Sequence, residues 1–403
     1  MTTSNDFASG PLQGVRIVDL TSVVLGPYAT RILADMGADV IKVETTQGDQ
    51  TRHYRPMRNE GMAGYYLNLN RNKRSIALDL KTEAGRSVVL RLAKDADILL
   101  ENYRPGAMRR LGLGYEDLRA VNPRLVYTSI SGFGQTGPWA DRPGFDLMAQ
   151  AMSGVMSVTG YPGGPPVKAG VPVADIGCAL FAIYATLSAY IGAKNTGQGQ
   201  YVDAALFDSA MAFSIWDVCD WWGTGKPPEP LGTANKMTAP YQAMACADGH
   251  FVMGANSQKL WEKLCALLGR AELLADERFS TIALRLANRA ALQEALEQTF
   301  RAHGKEHWVQ LLLDNGIPAG PILTYPEAFG SEHAQARGMR LEIDHPVEGR
   351  VPNIGFAVKL SGTPQQVRRH PPLLGEHTEE VLREAGLAQE DIERLRAQGA
   401  FGG

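Results

Sequence analysis

The chain predicts an α/β fold: a mainly parallel, doubly wound sheet with a second, smaller domain set into the same polypeptide. Three observations lead there. Short β-branched runs alternate with helical periodicity through the first third. Two Pro/Gly-rich stretches, Gly223-Thr-Gly-Lys-Pro-Pro-Glu-Pro230 and Gly316-Ile-Pro-Ala-Gly-Pro321, punctuate the remainder. A chain of 403 residues is also long for one hydrophobic core.

Val15 to Leu20 reads as the first strand. Gly26 to Met36 then carries Ala29, Ile32, Leu33 and Met36 at helical spacing, and Gly37 sits where a helix ends. Strands follow at Ala38–Glu44 and Ser75–Leu80. A helix from Thr82 to Asp95 has Thr82 as its N-cap and Val88, Val89, Leu92 and Ala93 as its apolar face. Asp97–Glu101 and Arg124–Ile130 complete this series of strands. Ligands of such sheets bind beyond the carboxyl ends of the strands. Those ends carry Thr21–Pro27, Glu44–Arg58, Glu101–Arg110 and Ser131–Pro138. Asp146 to Thr196 reads as helical and rich in small residues, followed by a strand at Gln200–Leu206 and a helix at Ser209–Trp222. Residues from Pro240 to Pro318 form the second domain, opening on a strand pair around Asp248-Gly249. The tail returns to strands after Gly338 and to a helix at Glu376–Glu384.

Composition narrows the function. With 44% hydrophobic and 21% charged residues and a net charge of −3, no global basic field draws the chain to nucleic acid or to an anionic membrane. Cys178, Cys219, Cys246 and Cys265 are widely spaced, which predicts reduced thiols in a cytoplasmic protein rather than disulfides or a zinc site. The polar N-terminal stretch has no signal-peptide pattern. Ile176–Ala193 is uncharged, but Gly, Tyr, Thr and Ser within it predict a buried core helix rather than a membrane span.

Gly132-Phe-Gly-Gln-Thr-Gly137 matches a dinucleotide fingerprint, but such a fingerprint must open a helix, and Pro138 and Pro143 forbid one. A strand-end loop is the better reading, and a nicotinamide dehydrogenase the weaker one. His303-Gly-Lys-Glu306-His307 matches a zinc-protease pattern without a third ligand, so a solvated helix face is expected and no metal. Basic residues gather in three groups: Arg52, Arg55 and Arg58; Arg71, Lys73 and Arg74; Arg104, Arg109 and Arg110. Converging at one end of the sheet, they would hold a polyphosphate, with Tyr103 offering a face to a base. Asp146 is the one charge in the run from Pro143 to Val167. Burying an unpaired carboxylate is costly, so Asp146 is either paired structurally, most simply as a helix cap, or kept for chemistry.

Several segments together resemble the class III CoA-transferase family, which includes formyl-CoA and carnitine CoA-transferases and the α-methylacyl-CoA racemases. They are Gly14–Leu20, Leu33–Glu44, Asn70–Ile76, Glu101-Asn-Tyr-Arg-Pro-Gly106 and Pro371–Thr378. The resemblance implies a Rossmann-like large domain with a parallel sheet made from both chain ends, a small central α+β domain, and a homodimer of interlocked rings. The expected division is residues 1–225, 226–328 and 329–403. The family's catalytic aspartate falls on Asp146. Its CoA contacts fall on Val24, Leu25, Lys73, Asn102, Tyr103 and Arg110, to which charge and proximity add Arg74 and Arg104. No permanently bound cofactor is implied; CoA enters as the acyl-CoA substrate, with a free carboxylic acid as co-substrate.

The implied chemistry begins with a carboxylate nucleophile attacking the donor thioester. A mixed anhydride forms, then an aspartyl-CoA thioester, and the steps reverse onto the acceptor acid. The racemase alternative needs an acid/base pair. Phe145 precedes Asp146, and no histidine lies between Arg104 and Gly249, so transferase is preferred. Asp175 matches the racemases' partner aspartate, but transferases also carry an acid there. Formyl-CoA transferases cover the site with a tetraglycine loop. Leu231–Pro240 stands in its place here, which predicts a larger acceptor, a dicarboxylate with succinyl-CoA as donor. Lys236 or an arginine near Arg52 would pair the distal carboxylate. A non-catalytic CoA-binding protein is the remaining alternative, in which loss of Asp146 would alter no activity.

Overall fold

Six strands pair in parallel: β1 (Arg16–Leu20), β2 (Asp39–Glu44), β3 (Lys73–Ala77), β4 (Ile98–Glu101), β5 (Val126–Ser131) and β6 (Tyr201–Ala205). The computed structural model describes residues 10–57 and 62–401, so Arg58 lies outside the described residues. The strand order is β3-β2-β1-β4-β5-β6, which reverses direction between β1 and β4. In an open α/β sheet that reversal creates the crevice in which ligands bind.

The helices that bear on the sheet and the site are α1 (Leu25–Asp35), α2 (Glu83–Lys94), α3 (Ala107–Arg110), α4 (Asp146–Met152), α5 (Val173–Thr196), α6 (Leu206–Ala212) and α7 (Thr378–Glu384). Residues of α1, α5 and α6 bury one face of the sheet, and residues of α2 and α7 bury the other. Thr82 caps α2, its hydroxyl accepting from Gly85 N at 3.0 Å. Both faces of the sheet are covered, so its strands are apolar runs rather than alternating ones.

β3 departs from expectation. It begins at Lys73, not Ser75, because two charged side chains, Lys73 and Arg74, are taken inside the protein. The helix expected over Ser209–Trp222 is broken at Phe213–Ser214, between α6 and a helix at Ile215–Thr224. Among the described residues α5 alone is long and apolar enough to cross a membrane. Its alanine-rich side, with Ala174, Ala179, Ala182, Ala189 and Ala193, is buried in the core, but Leu180, Tyr184 and Ile191 are exposed. The buried core helix expected from sequence is therefore buried on one side only.

The described residues divide into two units. The larger comprises those of Met1–Val155, Lys168–Trp216 and Glu332–Gly403; the smaller comprises Met156–Val167 and Asp217–Ser331. The short segment Met156–Val167, which no sequence signal separated from its neighbours, belongs with the smaller unit. That unit has an antiparallel sheet of β7 (Tyr241–Cys246), β8 (Gly249–Gly254) and β9 (Ala319–Pro321), packed around Trp261, Phe279, Phe300 and Trp308. In the larger unit the C-terminal tail forms a hairpin, β10 (Arg340–His345) and β11 (Gly349–Ile354). It then runs along the outer edge of β3. Asn72 N donates to Arg369 O at 3.1 Å and His377 N to Ser75 O at 2.9 Å.

Candidate active site

Two carboxylates meet where α4 and α5 begin. Asp146 is the first residue of α4, and its Oδ1 accepts from Ala174 N at 2.9 Å and Asp175 N at 3.2 Å. Those are N–H groups of the first turn of α5, which lack partners within their own helix. Pro172 precedes that helix and has no side chain to cap it, so Asp146 caps it from another element. Oδ2 accepts from Gln150 Nε2 at 2.6 Å. Gln150 is fully buried, and its Oε1 in turn accepts from Ala169 N at 2.9 Å. Both oxygens of Asp146 are therefore engaged.

Asp175 is the contrast. It sits in the first turn of α5 and is partly buried, and its carboxyl has no hydrogen-bond partner among the described residues. Burial, and then the neighbouring charge of Asp146, push its pKa up to about 7. A carboxyl that is unpartnered, hard to ionise and set beside a second acid is what functional sites contain. Asp146, the residue expected to carry the chemistry, is fixed by three donors, whereas Asp175 is left without a donor among the described residues. A signal was present in the sequence, because Asp175 is the only acid between Asp146 and Asp203.

The glycine-rich loop positions α4. Gly132 and Gly144 lie back to back, and a Cβ on Gly132 would come within 2.8 Å of the Gly144 Cα. Gly134 and Gly137 adopt positive φ, and no helix follows until Asp146. The loop brings the chain from the end of β5 close against the start of α4, as a strand-end loop rather than a dinucleotide cradle.

The crevice between β1 and β4 is bridged by one side chain. Asn102 Oδ1 accepts from Ser22 N at 2.9 Å, and its Nδ2 donates to Ser22 O at 2.8 Å. Asn102 thus holds the β1–α1 loop, where Val23 has φ +71, Val24 is half-buried and Leu25 is buried at the start of α1. A left-handed β-branched residue is strained and persists only when its surroundings enforce it. Asp49 helps to do so, its carboxylate accepting from Val23 N at 3.3 Å while pairing with Lys42 at 2.9 Å. The structure thus brings Val24, Leu25, Asn102 and Tyr103 to adjoining strand ends.

Lys73 and Arg74 offer no free charge there. Lys73 is fully buried, and its ammonium donates to Asp19 (3.1 Å), Pro27 O (3.0 Å), Thr30 (2.8 Å) and Asn70 (2.9 Å). Arg74 lies at the amino end of β3, pairing with both oxygens of Asp39 (3.0 and 2.6 Å) and with Glu380 and Glu384 (2.9 and 2.8 Å). Arg52 is likewise engaged by Glu44 and stacked on Tyr66, and Arg71 is engaged by Asp35. The three basic groups therefore do not converge. Two of them supply buried, internally neutralised cations, because a buried charge must be paired.

The third group does face a cavity. Arg104, Arg109 and Arg110 are exposed, form no ion pair among the described residues, and line a cavity of about 890 Å³ beyond β4 and β5. Gln135, Thr136 and Gly137 of the glycine-rich loop form part of its wall, and Glu101, Ser129 and Tyr201 also line it. Arg109 belonged to that basic group in the sequence but was not among the residues assigned as CoA contacts. Glu101 is buried, bonded to Ser129 Oγ and to Tyr103 N (2.7 Å), with no cation partner among the described residues. Burial raises its pKa from 4.5 to about 7. The folded state therefore holds a proton that the unfolded chain releases, and stability falls as pH rises through that interval, by up to about 3 kcal/mol. Glu101→Gln has no such titration. Its melting temperature relative to wild type is expected to rise between about pH 5 and about pH 8. A pH-independent difference would show that Glu101 is not the group responsible.

Two other sequence features resolve differently. His303 precedes the helix Lys305–Asp314 that holds His307, and their rings stack at 4.2 Å beside Trp308. No group of three or more metal-ligating side chains occurs among the described residues. Lys236 is already paired with Asp217 (2.8 Å) and Asp220 (2.6 Å), so it offers no free charge to a substrate carboxylate.

Comparison with known proteins places the chain in a family. A family model described as CoA-transferase family III matches residues 12–378. The succinate–glutarate CoA-transferase of Agrobacterium fabrum is 39% identical, the match covering 95% of this chain and 97% of that one. The mouse succinyl-CoA:glutarate CoA-transferase is 38% identical, over 97% and 90%. A crystal structure of a CAIB/BAIF family protein from Brucella suis superposes with a TM-score of 0.84 at 40% identity, covering 93% of this chain and 99% of that one. With a reversed parallel sheet, an arginine-lined cavity at its carboxyl edge and a carboxylate pair beside it in sequence, the chain belongs to CoA-transferase family III.

Proposed function

We propose that the protein moves CoA from succinyl-CoA to another dicarboxylic acid through a covalent carboxylate, and that the carboxylate is Asp175. The observation that carries this is the asymmetry of the pair: Asp146 is held by three donors, and Asp175, with its pKa near 7, is held by none. Asp175 attacks the donor thioester carbonyl, the C–S bond breaks, and a mixed anhydride and CoA thiolate result. The thiolate attacks the aspartyl carbonyl and releases succinate, leaving an aspartyl-CoA thioester. The acceptor carboxylate attacks that thioester and frees the thiolate, which then takes the acceptor acyl group and returns Asp175 as a carboxylate. A raised pKa makes a carboxylate a better nucleophile, and the fixed CoA moiety supplies the orientation. The donor assignment leans on the two transferase relatives, and a dicarboxylate acceptor also suits a chain without a tetraglycine loop at Leu231–Pro240.

The phosphates of CoA are assigned to Arg104, Arg109 and Arg110, and the β1–α1 loop at Val24-Leu25, with Tyr103, to the rest of the molecule. Arg110→Ala should raise KM for acyl-CoA about 10-fold or more, the loss of a charge-assisted bond, with a smaller change in kcat. An unchanged KM would remove Arg110 from the site. The same reading carries an interlocked homodimer, which would cover Leu180, Tyr184 and Ile191. A reducing, cytoplasmic setting suits its unpaired cysteines.

The direct test is isotopic. Turnover with an acceptor acid labelled with oxygen-18 in its carboxylate leaves one labelled oxygen on the nucleophile. Lys168 separates the two aspartates, so trypsin puts them on different peptides. Label in the peptide beginning at Ala169 supports Asp175. Label in the Asp146 peptide would return the role to Asp146, and label in neither would rule out a covalent carboxylate. Exchange of an α-proton with deuterated solvent, without CoA transfer, would favour the racemase alternative.

A further inference from the structure

We infer that Gln150 is a positioning residue for the transfer reaction: its amide holds Asp146 as a charged, fixed neighbour of Asp175. The inference rests on the assignment of Asp175 as nucleophile and extends it to a residue that touches neither substrate nor nucleophile. Gln150 lies one turn beyond Asp146 on α4 and has no exposed surface. Its two ends do opposite things. The amide nitrogen donates to Asp146 Oδ2 at 2.6 Å, and the amide oxygen accepts from Ala169 N at 2.9 Å. No other residue type of this length both donates and accepts without bearing a charge. The donation fixes the carboxylate of Asp146 and directs its other oxygen at the first turn of α5. The acceptance ties down the segment from Ala169 to Pro172 that leads into Asp175.

The neighbouring titratable and charged groups are few. Asp146 shares the helix with Gln150. On α5 and α6, which pack against it, stand Asp175, Cys178 and Asp208. The ammonium of Lys168, on the approach to α5, is bound to the Ala169 carbonyl at 3.1 Å. None of these donates to Asp146 Oδ2, so the amide of Gln150 has no substitute there.

Gln150→Glu keeps the shape and the bond to Ala169 but turns the donor facing Asp146 into a second carboxylate. The expected results are a kcat lower by about 10-fold or more, a KM for acyl-CoA within about twofold of wild type, and an acid limb of the rate–pH profile moved upward by about half a unit or more, since added negative charge resists ionisation of Asp175. Adding Asp146→Asn to Gln150→Glu restores a donor facing an acceptor and should recover the limb towards its wild-type position. An unchanged kcat and limb in Gln150→Glu, or a change in stability alone, would overturn the inference. Should that variant not fold, Gln150→Met serves: loss of kcat at constant KM supports positioning, and wild-type kcat refutes it. The oxygen-18 experiment on the wild-type protein tests Asp175 independently, so failure of either idea can be told from failure of the other.

Discussion

Asp175→Asn is expected to reduce transfer by about 10³-fold or more while leaving acyl-CoA binding and the fold intact. The side chain has no hydrogen bond to lose among the described residues, so substituting an isosteric amide removes only the nucleophile and the burden of a half-buried charge. A small gain in stability above pH 7 accompanies the loss, because a carboxyl whose pKa is raised to about 7 by folding destabilises the native state once it ionises. In the wild type, kcat/KM should climb through about pH 7 as the carboxylate forms. Asp146→Asn behaves differently. It keeps an oxygen for the N–H groups of α5 but removes the like charge beside Asp175, so the limb moves to lower pH and the rate falls only partially. Turnover in Asp175→Asn close to that of wild type would end the assignment, and steady-state rates over a pH series for both variants are sufficient to decide it.

Lys73→Met is expected to destabilise the protein by about 3–5 kcal/mol, the cost of stranding a buried partner. Asp19 is fully buried; burial alone would push its carboxyl up, but Lys73 and Lys42 outweigh that and hold it below the ordinary range. Removing Lys73 leaves Asp19 with hydroxyl donors from Thr21 and Thr30 and with Lys42 as its remaining charge. Burial draws the Lys73 ammonium down only to about 8, so both members are charged at neutral pH. The midpoint of urea unfolding should fall accordingly, and the folded fraction should keep its KM for acyl-CoA. A raised KM with an unaltered midpoint is the opposite outcome, and would make Lys73 a ligand contact after all.

Lys73 also marks where the sequence stops being legible. Strands such as Ile98–Glu101 and Val126–Ser131 were readable because a sheet covered on both faces demands apolar runs, and Thr82 was readable as a cap because its chemistry is local. β3 was misplaced because its first two residues are charges whose partners, Asp19 for one and Asp39, Glu380 and Glu384 for the other, are remote in sequence. Hydropathy treats such residues as surface; only the folded arrangement neutralises them. The site divides the same way. Arg104 and Arg110 could be picked out as cations facing a cavity because charges beside a strand end need no remote partner to be recognised. Asp146 was singled out, but its capping of α5 was not foreseen, because a cap donated across elements leaves no local spacing rule. Asn102, expected as a ligand contact, also braces the β1–α1 loop, a role that depends on where Ser22 lies.

The strip of chain that borders β3 has a consequence for how the molecule is made. β3 is an outer strand, and the groups that satisfy its exposed backbone come from Arg369 and His377, on a segment far downstream of it in the chain. A nascent polypeptide that has emerged only as far as the β10–β11 hairpin still presents an unfinished border, the kind of surface on which chains stick to one another. Contacts spanning roughly three-quarters of the sequence form slowly. Completion of this sheet therefore waits until that distant downstream segment is in place, long after β3 itself has been made.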